Sequence, residues 1–197
     1  MKQYQDKTTP INMEQFTKKI AKEDHRNQQI TRNFQWLMWI IAPLYCGMFL
    51  VNPDPDLSWN ERLGGLLYVI AFVLFALIFR KLNKEYRSVD YGIPVVEMLR
   101  QAVNRYKLFQ KKVFWAIVPI IFTDAGMIFL TLEHTGSQNL LTHILTTQAI
   151  IIPAFAIGLT IGIFIWRQRQ KPLRDAALRM LREIESEPGM NDQLNIV

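Results

Sequence analysis

Four apolar runs divide this chain: Phe34 to Val51, Leu63 to Phe79, Val113 to Leu132, and Ile144 to Trp166. Each holds 17 to 23 residues, and three of the four contain no charged side chain. About 20 apolar residues, each rising ~1.5 Å, cross a hydrocarbon core of roughly 30 Å. The pattern therefore predicts four transmembrane helices. Polar positions fill the gaps at 52–62, 80–112 and 133–143, and flank the runs at 1–33 and 167–197. Short connections make neighbouring spans antiparallel, so the four are read as two antiparallel hairpins. The sequence NPDPD after the first run lacks a small-x-small cleavage pattern, and a long polar segment precedes the run. That run is expected to be an uncleaved anchor rather than a signal peptide.

The polar gaps carry their own periodicity. Asn12 followed by Gln15 fits a capping box, and Phe16 and Ile20 start a short apolar stripe. The stretch KEDHRNQQITRN that follows reads as polar all round. Two prolines in NPDPD force a tight turn. The second span is expected to continue as helix to about Arg87, where DYGIP stops it. In VVEMLRQAVNRYKLFQKK, the residues Val95, Leu99, Ala102, Tyr106 and Phe109 share one face. Arg100, Arg105, Lys107, Lys111 and Lys112 lie largely away from it. No breaker follows, so one helix is expected from about 95 to 132. Pro172 is read as opening a last helix with a stripe of Leu173, Ala177, Met180, Leu181 and Ile184, and EPG as ending it. Covering one stripe with the other would extend the membrane bundle into a short cytoplasmic stalk.

The expected fold class is thus all-α: a polytopic integral membrane protein with amphipathic cytoplasmic helices. Its segments are a cytoplasmic 1–33, a four-helix transmembrane domain 34–166 with a helical loop at 80–112, and a cytoplasmic helix and tail at 167–197.

Charge orients this picture. Of 23 Lys and Arg residues, seven lie in 1–33, nine in 80–112 and six in 167–197, against one in 52–62 and none in 133–143. The positive-inside rule then puts both termini and the middle loop in the cytoplasm. Topology and contact with anionic lipid account for the net charge of +6, and nucleic acid is not expected as a partner. All five Trp fall near predicted interfaces: Trp36, Trp39, Trp115 and Trp166 on the inner side and Trp59 on the outer. The absence of long external domains or glycosylation sequons fits a bacterial inner membrane. Cys46 is the single cysteine, so no internal disulfide forms.

Chemistry is sparse. Asp124 stands near the middle of the third run, where an ionised side chain costs at least ~2.5–3.5 kcal/mol. No Lys, Arg or His lies at its depth, whereas Tyr45 and Tyr68 lie within a few residues of its level. A phenol both donates to a carboxylate and accepts from a carboxylic acid, so an intramembrane cluster of Asp124, Tyr45 and Tyr68 is expected. The bland reading, a buried carboxyl that fixes helix packing, outweighs a proton or solute pathway, because one acid without a basic partner makes a thin path. Pro43, Pro119 and Pro153 are read as ordinary helix kinks. Ala154, Gly158 and Gly162 recur every four residues, a spacing that lets two helix backbones approach closely. Their partner is expected within the bundle, with a homodimer as the other candidate. WIIAP at 39–43 resembles WAIVP at 115–119, a faint sign of hairpin duplication.

Glu133, His134 and His143 flank the second outer loop but make a weak metal signal, so no metal and no cofactor is expected. Nucleophile-elbow, zinc-protease, P-loop and dinucleotide signatures are all missing from the sequence. The chain reads as a non-enzymatic regulatory or scaffold protein, its lipid-bound body presenting cytoplasmic helices to a protein partner. A small oligomeric transporter or channel subunit using Asp124 is the alternative, and a lipid-modifying enzyme the third class.

Overall fold

A computed structural model describes residues 13–108, 114–132 and 139–186, and every regular element in them is helical. Asn12, Phe109, Glu133, His134 and the 187–197 tail lie outside the described residues. Helix α1 runs Met13–Tyr45 and passes directly into a π-helical segment, Cys46–Val51. Pro43 sits just before that change, where its missing N–H already removes one rung of the α-helical ladder. Asn52 and Asp54 then fold NPDPD through side-chain turns: Oδ1 of Asn52 accepts from the Asp54 amide at 3.2 Å and Oδ1 of Asp54 from that of Asp56 at 3.0 Å.

Helix α2, Trp59–Arg87, starts on a full capping box. The Ser58 hydroxyl accepts from the Glu61 amide at 3.1 Å, and the Glu61 carboxylate accepts from the Ser58 amide at 2.9 Å. α1 and α2 lie against each other along most of their length. Phe34 stacks on Phe79 at 5.5 Å, Asn83 donates to Gln35 at 3.4 Å, and Tyr45 meets Tyr68 and Phe72 at 5.5 and 5.0 Å.

Helix α3, Val95–Arg105, is short and separate. The single helix expected from 95 to 132 is not formed. Tyr106 closes α3, its amide donating to Ala102 and its carbonyl accepting from the Trp166 indole N–H at 2.9 Å. The indole thus satisfies a carbonyl that the end of α3 leaves without an intrahelical partner. Helix α4, Ile117–Thr131, has 15 residues and begins with Pro119 in its first turn, where a missing N–H costs nothing.

Helix α5, Leu140–Ser186, is continuous for 47 residues and so about 70 Å long. Pro172 does not open a new helix: it lies inside α5. The carbonyl it deprives belongs to Gln168, an exposed residue within reach of water, and the Arg174 guanidinium lies 5.6 Å from the Trp166 ring centre, bracing the helix across the proline.

Three helices are long and apolar enough to cross a membrane: Met13–Val51, Trp59–Arg87 and Leu140–Ser186. α4 is apolar but shorter. The two ends of the molecule are organised differently. At the end away from the 52–58 turn, α1, α3 and α5 bury Phe16, Ile20, Leu99, Ala102, Tyr106, Ala177, Met180 and Leu181 in one core. The apolar belt instead keeps most large side chains on its outside, including Trp36, Ile40, Ile121 and Leu159.

Glycines set the closest approach inside the belt. A β-carbon on Gly64 of α2 would lie 2.8 Å from Leu130 and 2.9 Å from the Gly126 carbonyl of α4. One on Gly126 would lie 2.8 Å from the Tyr68 ring, and one on Gly65 would overlap Phe49.

Candidate functional site

Two carboxyl groups are held by other helices, Asp124 half-buried in the belt and Asp24 buried in the core. In the belt, Asp124 of α4 faces the N-terminal part of α5. Gln148 Nε2 lies 2.8 Å from each carboxylate oxygen and donates to them. This is the polar partner that the tyrosine pair was expected to provide. Tyr45 and Tyr68 are in ring contact with each other, and the Tyr68 hydroxyl points to Met127 Sδ at 3.5 Å. Tyr68 does share a cavity of about 270 Å³ with Thr123, Asp124, Met127, Ile151 and Ala154. Gln148 was visible in the sequence as a polar residue of the fourth run. Its relation to Asp124 depends on how far α5 is shifted along α4, which periodicity does not give.

A second clamp ties the same two helices nearer the 133–138 connection. His143 is buried, and its Nε2 lies 3.2 Å from both the Thr131 hydroxyl and the Ile128 carbonyl. His143 is thus placed against α4. Among the described residues no group of His, Cys, Asp or Glu has the arrangement to hold a metal ion.

From Ile152 to Ile165 every residue of α5 is exposed. A β-carbon added to Gly158 or Gly162 would meet nothing within 4 Å. No helix among the described residues covers their small face, although Ala154, one step along the same stripe, borders the Asp124 cavity. Pro153 is the second residue of this exposed stretch.

The core contains the carboxylate that the sequence reading passed over. Asp24 of α1 is 1% exposed. The Tyr106 hydroxyl donates to its Oδ1 at 2.8 Å, and the Tyr91 hydroxyl to its Oδ2 at 3.0 Å. Arg105 Nη2 lies 3.4 Å from Oδ2, with the guanidinium side chain itself only 10% exposed. One carboxylate therefore joins α1, the end of α3 and the turn before α3. The Trp166 bond to the Tyr106 carbonyl adds α5.

Burial raises the pKa of the Asp24 carboxyl above its usual range, while Arg105 and the two phenol donors pull the other way. Burial and then the Asp24 charge raise the Tyr91 and Tyr106 hydroxyls well above the usual phenol range. Tyr86, close by, is pushed up to about 12 for the same two reasons. All three phenols hold their protons at neutral pH, so Tyr91 and Tyr106 act purely as donors to Asp24.

A signal for this site was present. Asp24 continues the four-residue step of Phe16 and Ile20, so it falls on the apolar face of α1. Tyr106 belongs to the expected stripe of α3 and is buried, whereas Val95 at the head of that stripe is 41% exposed. Arg105, expected away from the stripe, is turned inward by Asp24.

Compared with known proteins, the chain matches no family model, no curated protein and no solved structure.

Proposed function

We propose that this chain is a non-enzymatic regulatory or scaffold protein of a bacterial inner membrane. It crosses the bilayer four times, as two antiparallel hairpins, with both ends in the cytoplasm. α4 is the short third span, and the belt below it opens into a cytoplasmic helical body that holds a soluble protein partner. The observation that carries this reading is the Asp24 core. Anchoring four spans requires no packed assembly outside the belt, and burying a carboxylate with three partners is costly unless the resulting shape is used. Leu99, Ala102 and Tyr106 of α3 and Ala177, Met180 and Leu181 of α5 are consumed in that core. A partner would therefore meet the polar outer faces of the body rather than an open apolar groove.

The test places a photo-crosslinking residue at exposed positions of the body, Gln101, Arg179 and Arg182, in living cells. A discrete adduct to one soluble protein, absent from a crosslinker on the 52–58 turn, is expected. Adducts to lipid alone at all three positions would overturn the scaffold reading.

The cavity beside Asp124 favours a second reading, a small transporter or channel subunit. It predicts that a cysteine at position 124, in a Cys46→Ser background, reacts rapidly with a membrane-impermeant thiol reagent from one side. The scaffold reading predicts no reaction there while loop cysteines react.

A further inference from the structure

α1 and α5 do not close completely on each other between the core and the belt. They leave a cleft of about 770 Å³. Lys19, Lys22, Arg26 and Arg169 line it, with His25 alongside, against a single carboxylate, Glu23. Phe16, Pro172 and Leu173 form its apolar floor. The protein does not neutralise this concentration of charge. Nη1 of Arg26 is buried yet makes no hydrogen bond, and its ion-pair distance to Glu23 is 3.8 Å.

The depth of the cleft is specific. Arg169 follows Trp166, the last residue of the fourth apolar run, by three positions, which is about 4.5 Å along the helix. Arg26 precedes Ile30, where large exposed apolar side chains begin on α1, by about 6 Å. The polar interfacial layer of one leaflet is roughly 5–8 Å thick. Arg26 and Arg169 therefore lie at the level of lipid phosphates, one on each wall, while Lys19 and Lys22 lie deeper along the same cleft.

The geometry points to a binding site for the phosphate-bearing headgroup of an anionic phospholipid, held between α1 and α5. Arg26 and Arg169 would take the phosphate, the two lysines would contact the remainder of the headgroup, and the acyl chains would stay against the exposed belt. A lipid bound there bridges the two helices that the Asp24 core joins farther down. The inference rests on the membrane placement proposed above and is independent of whether a protein partner exists.

The experiment reconstitutes the full chain in phosphatidylcholine nanodiscs and follows its melting temperature as phosphatidylglycerol replaces part of the lipid. Wild type is expected to gain stability with a saturable dependence on phosphatidylglycerol. Arg26→Gln with Arg169→Gln should raise the half-saturating fraction by roughly 25-fold, since each interfacial cation contributes about fivefold. Lys19→Gln with Lys22→Gln, both on exposed side chains, should raise it less, and decides the matter if the arginine variant fails to fold. Lys18→Gln with Arg182→Gln, exposed and outside the cleft, should leave the response unchanged.

Equal losses in the cleft and control pairs, or no wild-type response, would overturn the site. Full stabilisation by inorganic phosphate in pure phosphatidylcholine discs would show a soluble anion as the ligand and overturn the lipid assignment. Alkaline carbonate extraction separates the two failures: a chain that resists extraction but ignores phosphatidylglycerol lacks the site, and one that is extracted lacks the membrane placement.

Discussion

Tyr106→Phe isolates the Asp24 network. The substitution keeps the ring, which is fully buried among Leu99, Met180 and their neighbours, and deletes one hydroxyl. That hydroxyl donates at 2.8 Å to a carboxylate with 1% exposure, so water cannot replace it. A hydrogen bond to a charged group contributes about 1.5–3 kcal/mol, and a cost near 2 kcal/mol is expected at pH 7.5. For a chain of this size that lowers the melting temperature by roughly 4–8 °C.

The pH dependence gives a sharper check. The folded Asp24 pKa is raised above its unfolded value of 3.8, so the native state takes up this proton first as pH falls. The contribution of that proton to stability is fully present below the unfolded pKa and is lost as pH rises through the folded one. Removing the Tyr106 donor takes away one of the interactions holding the pKa down. The folded pKa therefore rises further, and the penalty shrinks as pH falls from 7.5 toward 5. Thermal unfolding of the detergent-solubilised protein, wild type and variant at both pH values, reads this directly, with Asp24→Asn as the background in which the pH difference should vanish. A variant as stable as wild type at pH 7.5, or one that loses more at pH 5, would refute the reasoning.

Gln148→Leu should destabilise the protein by about 1–3 kcal/mol, because it strips the donor from Asp124; adding Asp124→Leu should recover most of the loss, measured by the same melts. Gly64→Val puts side-chain atoms where Leu130 and the Gly126 carbonyl already are, and should cost about 1–3 kcal/mol or drive the α2–α4 pair apart, seen as a loss of crosslinking between cysteines placed on them. Trp166→Phe removes the donor to the Tyr106 carbonyl at 2.9 Å and should cost about 1 kcal/mol, with faster amide exchange at the end of α3 as its signature.

The helical class and three of the apolar crossings were legible because length and hydropathy suffice for them. The stripe of Leu173, Ala177, Met180 and Leu181 was legible because helical periodicity places those residues on one face. What the sequence hid was set by relations between elements. At the break after Tyr106 the free carbonyl is taken up by an indole on α5, 60 residues later, a relation that no local pattern reports. Pro172 reads locally as a helix start, and only tertiary support on both sides keeps α5 running through it. Asp24 was missed for a different reason. Its neighbours are so polar that a carboxylate looked solvated, although the step from Phe16 and Ile20 aims it inward. Gln148 stands in the fourth run, but its pairing with Asp124 is out of reach of depth counting from span centres, which tolerates errors larger than a hydrogen bond.

Among the described residues, α5 is gripped at its two ends. Gln148 and His143 hold it to α4 at one end, and Trp166 and the core residues hold it at the other. Between them, every residue from Ile152 to Ile165 is exposed, over about 20 Å of shaft, and only its first turn borders the Asp124 cavity among the described residues. A rod clamped at its ends and bare in the middle has nothing along its length to absorb torque. Turning the grip at Gln148 and His143 must therefore either twist the shaft at Pro153 or arrive, undiminished, at the Asp24 core.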